Sequence, residues 1–304
     1  LSDAAADLEY LRNALAAVPD FAQVVAAGDT ADCTGIALAQ GGIWYPEAAW
    51  LHPEAVCSAL LAHPNIELRT ELGPIDVRRD NKERWCAVDP RDDVIAAAEA
   101  LVLATAWDTR HFAPTNWLPL QVIRGQTTHI DSPAPLDRLR SIVCHRGYLP
   151  PAVDGVHCIG ASFGPNDAQL DEREDDHQHN LNELRTALPT LRTAPARRGG
   201  QVALRCNSND YLPITGPIPE TAAFAQTYAP LRRRSRAVMG TLPDVHPGLW
   251  CLTALGSRGL TAAPLAAEML ASQLCDEPPP VPRYLQQALS PARFLIRQLK
   301  RGQR

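Results

Sequence analysis

No two of the 18 glycines in this chain lie two residues apart, so the Gly-x-Gly-x-x-Gly fingerprint that cradles a dinucleotide pyrophosphate is absent. No P-loop is present, which leaves an ATPase reading without support. No apolar run reaches the roughly 18 residues that a membrane-spanning helix needs, and no signal peptide is recognisable at the N-terminus. The eight cysteines, at 33, 57, 86, 144, 158, 206, 251 and 275, include no Cys-x-x-Cys. In a chain this long they read as buried, reduced thiols of a cytoplasmic protein rather than a disulfide scaffold. Positive charge is not in excess either: 29 Lys and Arg face 34 Asp and Glu, for a net charge of -5. That excludes a protein held to nucleic acid by bulk charge and leaves only local basic patches for such a role.

What is present is ordinary for a globular enzyme: 304 residues, 45% hydrophobic and 21% charged. Apolar positions at helical spacing (Leu8, Leu11, Leu15, Val18) predict an opening helix, and Pro53 suits the first turn of another through Leu61. Short strands are expected at 66–70, 75–79 and 84–88, and within 35–45. The continuous apolar run 98–105 reads as a strand buried on both faces. Further strands are expected at 121–130, 141–144, 156–159 and 201–207, with an exposed, acid-entered helix over 171–188 and a loop over 190–200. The pattern is α/β, and its segments interleave. One α/β layer comes from 46–112 and 246–275. A strand-rich domain comes from 1–45 and 113–245. A Pro-rich linker and basic tail follow over 276–304.

Two C-terminal segments carry the chemistry: Arg205-Cys-Asn-Ser-Asn-Asp-Tyr-Leu-Pro-Ile-Thr-Gly216 and Ala254-Leu-Gly-Ser-Arg-Gly-Leu-Thr-Ala-Ala-Pro-Leu-Ala-Ala-Glu-Met-Leu270. The second follows the apolar run 249–253, so it reads as buried strand, tight glycine turn and helix. Such a turn aims free N–H groups and the positive end of the helix dipole at whatever lies above the sheet. An anion or an electron-rich cofactor edge fits there. Arg258 in the turn and Arg205 upstream point to a carboxylate or phosphate, which guanidinium grips bidentately. Arg258 beside a helix N-terminus is unfavourable unless an anion joins it; the alternative is a solvent-facing arginine. For Arg205 the alternative is a structural pairing with Asp210 or another acid.

These blocks, together with Gly42-Ile-Trp-Tyr-Pro46, Trp50-Leu-His-Pro53, Val102-Leu-Ala-Thr-Ala106, Arg124-Gly-Gln126, Ile159-Gly-Ala-Ser162 and the tail 289–300, carry a resemblance. In order from about residue 35 to the end, the chain resembles the FAD-dependent oxidoreductase half of the bifunctional tRNA 5-methylaminomethyl-2-thiouridine biosynthesis proteins of the MnmC type. These lie within the glycine oxidase / D-amino-acid oxidase (DAO) family. The resemblance implies an FAD-binding Rossmann-like layer interleaved with an antiparallel-sheet substrate domain, as in glycine oxidase. Family members open with the Gly-x-Gly-x-x-Gly unit that this chain lacks. The sequence, which begins at Leu1, therefore reads as a piece with the first βαβ unit missing, and the methyltransferase half is absent as well.

The resemblance also assigns roles. Arg205 would grip the substrate carboxylate and Arg258 would lie near flavin and substrate. Gly256, Ser257, Gly259 and Leu260 would contact the flavin, the glycines also serving the turn. Ala104, Thr105 and Ala106 end the 98–105 strand where α/β sheets bind cofactors, and would pass close to FAD. Trp50 and His52 lie in a flavin-facing stretch of the family, but Ala48 and Ala49 stand where the family has glycines, and His52 is left without a role. His177 and His179, two apart on a helix, point to different faces, so no metal is assigned.

The expected activity is oxidation of 5-carboxymethylaminomethyluridine at the tRNA wobble position to 5-aminomethyluridine and glyoxylate, with a methyltransferase domain or protein acting on the product and no membrane partner. A rival reading is a free glycine or sarcosine oxidase, and a third is a non-catalytic remnant that cannot hold FAD. The tail favours tRNA: Arg283, Arg293, Arg297, Lys300, Arg301 and Arg304 occur with no acid among residues 283–304. Arg232, Arg233, Arg234 and Arg236 offer a second basic patch.

Overall fold

The computed structural model describes residues 5–189, 191, 195–239 and 243–302. The chain opens with α1 (Ala5–Leu15), β1 (Gln23–Val25), α2 (Thr30–Thr34), β2 (Gly42–Trp44) and α3 (Pro53–Leu61). Pro53 takes the first turn of α3 as expected, and His52 caps it by accepting from Ala55 N at 3.4 Å through Nδ1. Then come β3 (Asp76–Arg79), β4 (Trp85–Val88), β5 (Val94–Ala98), β6 (Leu101–Leu103), β7 (Leu120–Asp131), β8 (Val143–Cys144), β9 (Tyr148–Leu149), β10 (Val156–Gly160) and β11 (Gly164–Pro165). The rest is α4 (Glu174–Ala187), β12 (Arg197–Ser208), β13 (Ile214–Pro219), α5 (Thr221–Thr227), β14 (Val245–Thr253), α6 (Gly259–Leu274), α7 (Arg283–Leu289) and α8 (Ala292–Lys300).

The chain forms two compact units, each built from separated segments: Leu1–Ala62 with Arg124–Ala203, and His63–Ile123 with Leu204–Arg304. In the first unit the sheet order is β11-β7-β10-β9-β8, β12 also pairs with β7, and β1 pairs with β2. The β7–β10, β8–β9 and β1–β2 ladders are antiparallel. Its core joins Ile36 and Leu38 to Ile130, Leu149 and Ile159 of the sheet and to Leu181 and Leu184 of α4. The second unit holds the antiparallel meander β3-β4-β5 and the sheet β13-β14-β6, in which β6 runs parallel to β14. Trp85, Leu103, Phe112, Ile214, Leu249, Cys251 and Phe294 meet in its main core.

Five expectations need correction. Residues 66–70 form no strand: Ile66 and Leu68 are 46% and 62% exposed, and Arg69 turns its guanidinium to Glu67 and to the Ile95 carbonyl. The run 98–105 divides between β5 and β6, with a break at Glu99 and Ala100. Gly248, at φ +72°, approaches that break so closely that a Cβ on it would lie 2.1 Å from the Glu99 carbonyl oxygen. Nor is β6 buried on both faces, because it pairs only with β14 among the described residues and Val102 is 37% exposed. Helix α4 is amphipathic rather than exposed, with His177, Asn180, Leu181, Leu184 and Ala187 buried. None of the cysteines is in a disulfide, but Cys57, Cys144 and Cys275 are exposed where burial was expected. Of the 190–200 loop, residues 190 and 192–194 lie outside the described residues, and 197–200 already belong to β12.

Candidate flavin and carboxylate site

The parallel register of Leu249, Trp250 and Cys251 with Leu101, Val102 and Leu103 brings the C-terminal ends of β14 and β6 to one edge. There the two segments singled out in sequence, 104–106 and 254–260, are tied together. Thr253 Oγ1 donates to the Ala106 carbonyl at 2.9 Å, and the Thr105 and Thr109 hydroxyls bond at 3.1 Å. Ala106 and Ala254 sit at φ +47° and +59°. That left-handed region is uncommon for a residue with a Cβ, and such residues cluster where function constrains the backbone. Ala104, Thr105 and Ala106 are exposed, so small side chains and open backbone line this edge.

The glycine turn is built against β12. Gly256 lies at φ +58°, and a Cβ there would fall 2.3 Å from Asn207 Oδ1. Asn207 also bridges Leu255 through the backbone. Arg205 and Asn207 are two apart on one strand and so share its face. The side of β12 that carries Arg205 is therefore the side that meets the Gly256 turn. Arg205 is half-buried and engaged within the protein. The turn continues as a 3-10 segment, Gly256–Arg258, into α6. Arg258 is its N-cap residue, is exposed, and makes no side-chain cap bond. Ser257 and Leu260 are exposed and Gly259 is half-buried. The turn thus joins a cation to the positive end of a 16-residue helix, an arrangement suited to an anion.

Asp210, the acid considered as a partner for Arg205, is committed elsewhere. It accepts from Arg293 Nη2 and Nε at 2.9 and 3.0 Å, from Ser208 Oγ at 2.8 Å, and from Arg297. Burial raises its pKa, but the bonds from Arg293, Ser208 and Arg297 outweigh burial and hold the carboxyl well below the usual range. Arg293 is 5% exposed and further donates to the Leu212, Leu289 and Ser290 carbonyls. The tail is therefore not uniformly free: Arg293 and Arg297 pin α8 to the turn after Arg205, and Arg304 lies outside the described residues. Sequence reasoning missed this clamp, as it missed Thr253 and Asn207. Its only signal was an acid in the turn and basic residues at helical spacing in the tail.

The remaining motifs resolve into structure within the first unit. Arg124, 1% exposed, bonds Asp176, Gln126 Oε1 and the Gln169 and Asp171 carbonyls. Gly160-Ala-Ser-Phe-Gly164 carries the Gly-x-Ser-x-Gly spacing of a hydrolase nucleophile. Ser162 is buried, however, accepts from Gln126 N at 3.0 Å, and sits between β10 and β11 rather than before a helix. His177 is buried against Thr128 and Glu172, whereas His179 is exposed, so the two face apart. Among the described residues no group of three or more His, Cys, Asp or Glu is placed to hold a metal. Trp50 lines a cavity of about 380 Å³ with Trp44, Tyr45, Ala48, Ala49 and Arg140. In the second unit, the buried Cys251 thiol is pushed up to about 12 by desolvation, which removes it as a nucleophile.

Residues 2–273 match the family described as DAO, FAD dependent oxidoreductase. The chain belongs to this family. It is 43% identical over 277 residues to the tRNA 5-methylaminomethyl-2-thiouridine biosynthesis bifunctional protein MnmC of Pseudomonas paraeruginosa, covering 89% of this chain and 42% of that protein. MnmC of Pseudomonas putida is 39% identical over 295 residues, covering 93% and 44%. The chain thus spans less than half the length of these curated relatives. Among solved structures, glycine oxidase from Geobacillus kaustophilus superposes with a TM-score of 0.69 at 18% identity, over 91% of this chain and 69% of that one. Iminodiacetate oxidase from a Chelativorans species gives 0.72 at 18% identity, over 95% and 73%. These likenesses show the DAO fold: mixed α/β with antiparallel sheets.

The edge at 104–106 and 254–260 fits the flavin of this family. Ala106, Ala254 and Gly256 keep bulk away, and the start of α6 offers backbone N–H groups. The pyrophosphate is another matter, since no Gly-x-Gly-x-x-Gly occurs in the sequence to receive it. Among the described residues no helix is long and apolar enough to cross a membrane.

Proposed function

We propose that this chain is the oxidoreductase part of a tRNA-modifying system that removes the carboxymethyl group from 5-carboxymethylaminomethyluridine at the wobble position. The observation that carries this reading is the joined edge, where Thr253 ties the 104–106 segment to the turn that ends in Arg258, with Arg205 on the strand face beside it. FAD, when bound, supplies the hydride acceptor. Arg205 grips the carboxylate and Arg258 adds positive charge at the same edge, so the reacting methylene is held in one orientation. The neutral secondary amine pushes the hydride out, and no general base is assigned. Water then adds to the resulting substrate iminium, glyoxylate leaves, and the uridine keeps an aminomethyl group, which a methyltransferase domain or protein would take up.

The relatives' name, which places them in tRNA 5-methylaminomethyl-2-thiouridine biosynthesis, supports tRNA as substrate. The test is to incubate the chain with excess FAD and tRNA bearing 5-carboxymethylaminomethyluridine, then to analyse the nucleosides. Appearance of 5-aminomethyluridine supports the reading; an unchanged nucleoside with flavin bound refutes it.

A further inference from the structure

The two basic segments noted in sequence lie on the rim of one small core. Leu231, which immediately precedes Arg232, is 3% exposed, and Leu299, which immediately precedes Lys300, is 5% exposed. Both are buried in the same cluster, with Phe224, Tyr228 and Ala292. Helix α8 is amphipathic, so packing Phe294 and Leu299 inward leaves Lys300 outward. Arg232, Arg233, Arg234 and Arg236 emerge from the other wall of that cluster and are likewise exposed. These four, with Lys300 and Arg301, make no ion pair among the described residues, in contrast to Arg293 and Arg297 on the same helix. The nearby acids have neutral partners: Asp244 accepts from Thr227 Oγ1, and Glu220 caps α5 through Ala222 N and Ala223 N. A concentration of unpaired cations on a chain of net charge -5 is a local field, not a by-product of composition.

We propose that this rim, Arg232, Arg233, Arg234, Arg236, Lys300 and Arg301, is the surface that holds the RNA backbone. The inference rests on the tRNA reading above and adds the place where the polyanion lands. Five of the six are arginines, whose planar fork matches phosphate oxygens bidentately. A lipid surface needs charge together with an apolar face, and here the apolar residues of α8 are turned into the core.

The test is tRNA affinity against salt for three proteins: the unaltered chain, Arg233→Gln/Arg234→Gln, and a charge-matched control, Lys82→Gln/Arg91→Gln. All four positions are exposed, so thermal unfolding is expected to be unchanged. For the rim variant the slope of log affinity against log salt is expected to flatten by about 0.7 for each phosphate no longer neutralised, and affinity to fall about tenfold at low salt. The control should match the unaltered chain. Equal losses in both variants would assign binding to bulk charge and overturn the rim. Unchanged tRNA binding in the rim variant would overturn the rim and leave the tRNA reading standing. No salt-dependent tRNA binding by the unaltered chain would overturn both. Loss of binding to phosphatidylserine vesicles with tRNA binding intact would assign the rim to a membrane instead.

Discussion

Arg293 and Asp210 are paired across 83 residues of sequence by two hydrogen bonds of 2.9 and 3.0 Å, and the pair is largely buried, at 5% and 19% side-chain exposure. Removing Arg293 leaves Asp210 with only the exposed Arg297 and Ser208 as side-chain partners, and breaking such a largely buried pair costs about 3 kcal/mol. Arg293→Met is therefore expected to lower stability by about that amount in denaturant unfolding. Arg297→Met, at 45% side-chain exposure, should cost under about 1 kcal/mol. Asp210 has a folded pKa below its unfolded value of about 3.9. Its contribution is thus fully present above about pH 4 and is lost as pH falls through the folded pKa. The stability gap between the unaltered chain and Asp210→Asn should be constant from pH 7 down to about pH 5 and shrink below about pH 4. A gap that widens in acid would contradict the assignment.

Gly256 is held at φ +58°, and a Cβ there would fall 2.3 Å from the side-chain amide oxygen Oδ1 of Asn207. Gly256→Ala is expected to cost more than about 1 kcal/mol, through both the left-handed backbone and the clash. Combining it with Asn207→Ala should recover the clash component, giving a non-additive cycle. Strict additivity in thermal or denaturant unfolding would show that the two residues do not meet.

Under the proposed function, Arg205→Lys would replace a bidentate grip on the substrate carboxylate by a point charge. In the FAD-loaded chain it is expected to reduce turnover of a carboxylated amine about tenfold or more, equivalent to about 1.4 kcal/mol, with flavin content unchanged. Unchanged kinetics would make Arg205 structural.

The segment 249–274 was legible because each of its signals is local. The strand, glycine turn and helix at 249–274 announce themselves by an apolar run, Gly256 and Gly259, and an Ala/Leu-rich stretch. The opening helix and the Pro53 start are equally local. Pairings distant in sequence were not legible. Nothing in the apolar run 98–105 discloses that Gly248 will press against Glu99 and divide it. Nothing in the 205–216 block discloses that Asp210 pairs with Arg293 and Arg297 of the tail. The burial of α4 was missed because its mean character is polar while five positions on one face carry the packing. The edge at 104–106 was placed from strand-end position, but the Thr253 bond that joins it to the turn needs the parallel pairing of β6 with β14.

Under the proposed function, the edge at 104–106 and 254–260 acts on a carboxymethylamine carried by tRNA. The most direct measurement is glyoxylate release by the FAD-loaded chain from tRNA bearing 5-carboxymethylaminomethyluridine, set against release from free glycine and sarcosine at matched concentration. Release from the tRNA is expected, one glyoxylate for each modified uridine consumed, at a rate well above that from either free amino acid. Release from glycine or sarcosine with none from the tRNA would contradict the claim and make the chain a free amino-acid oxidase.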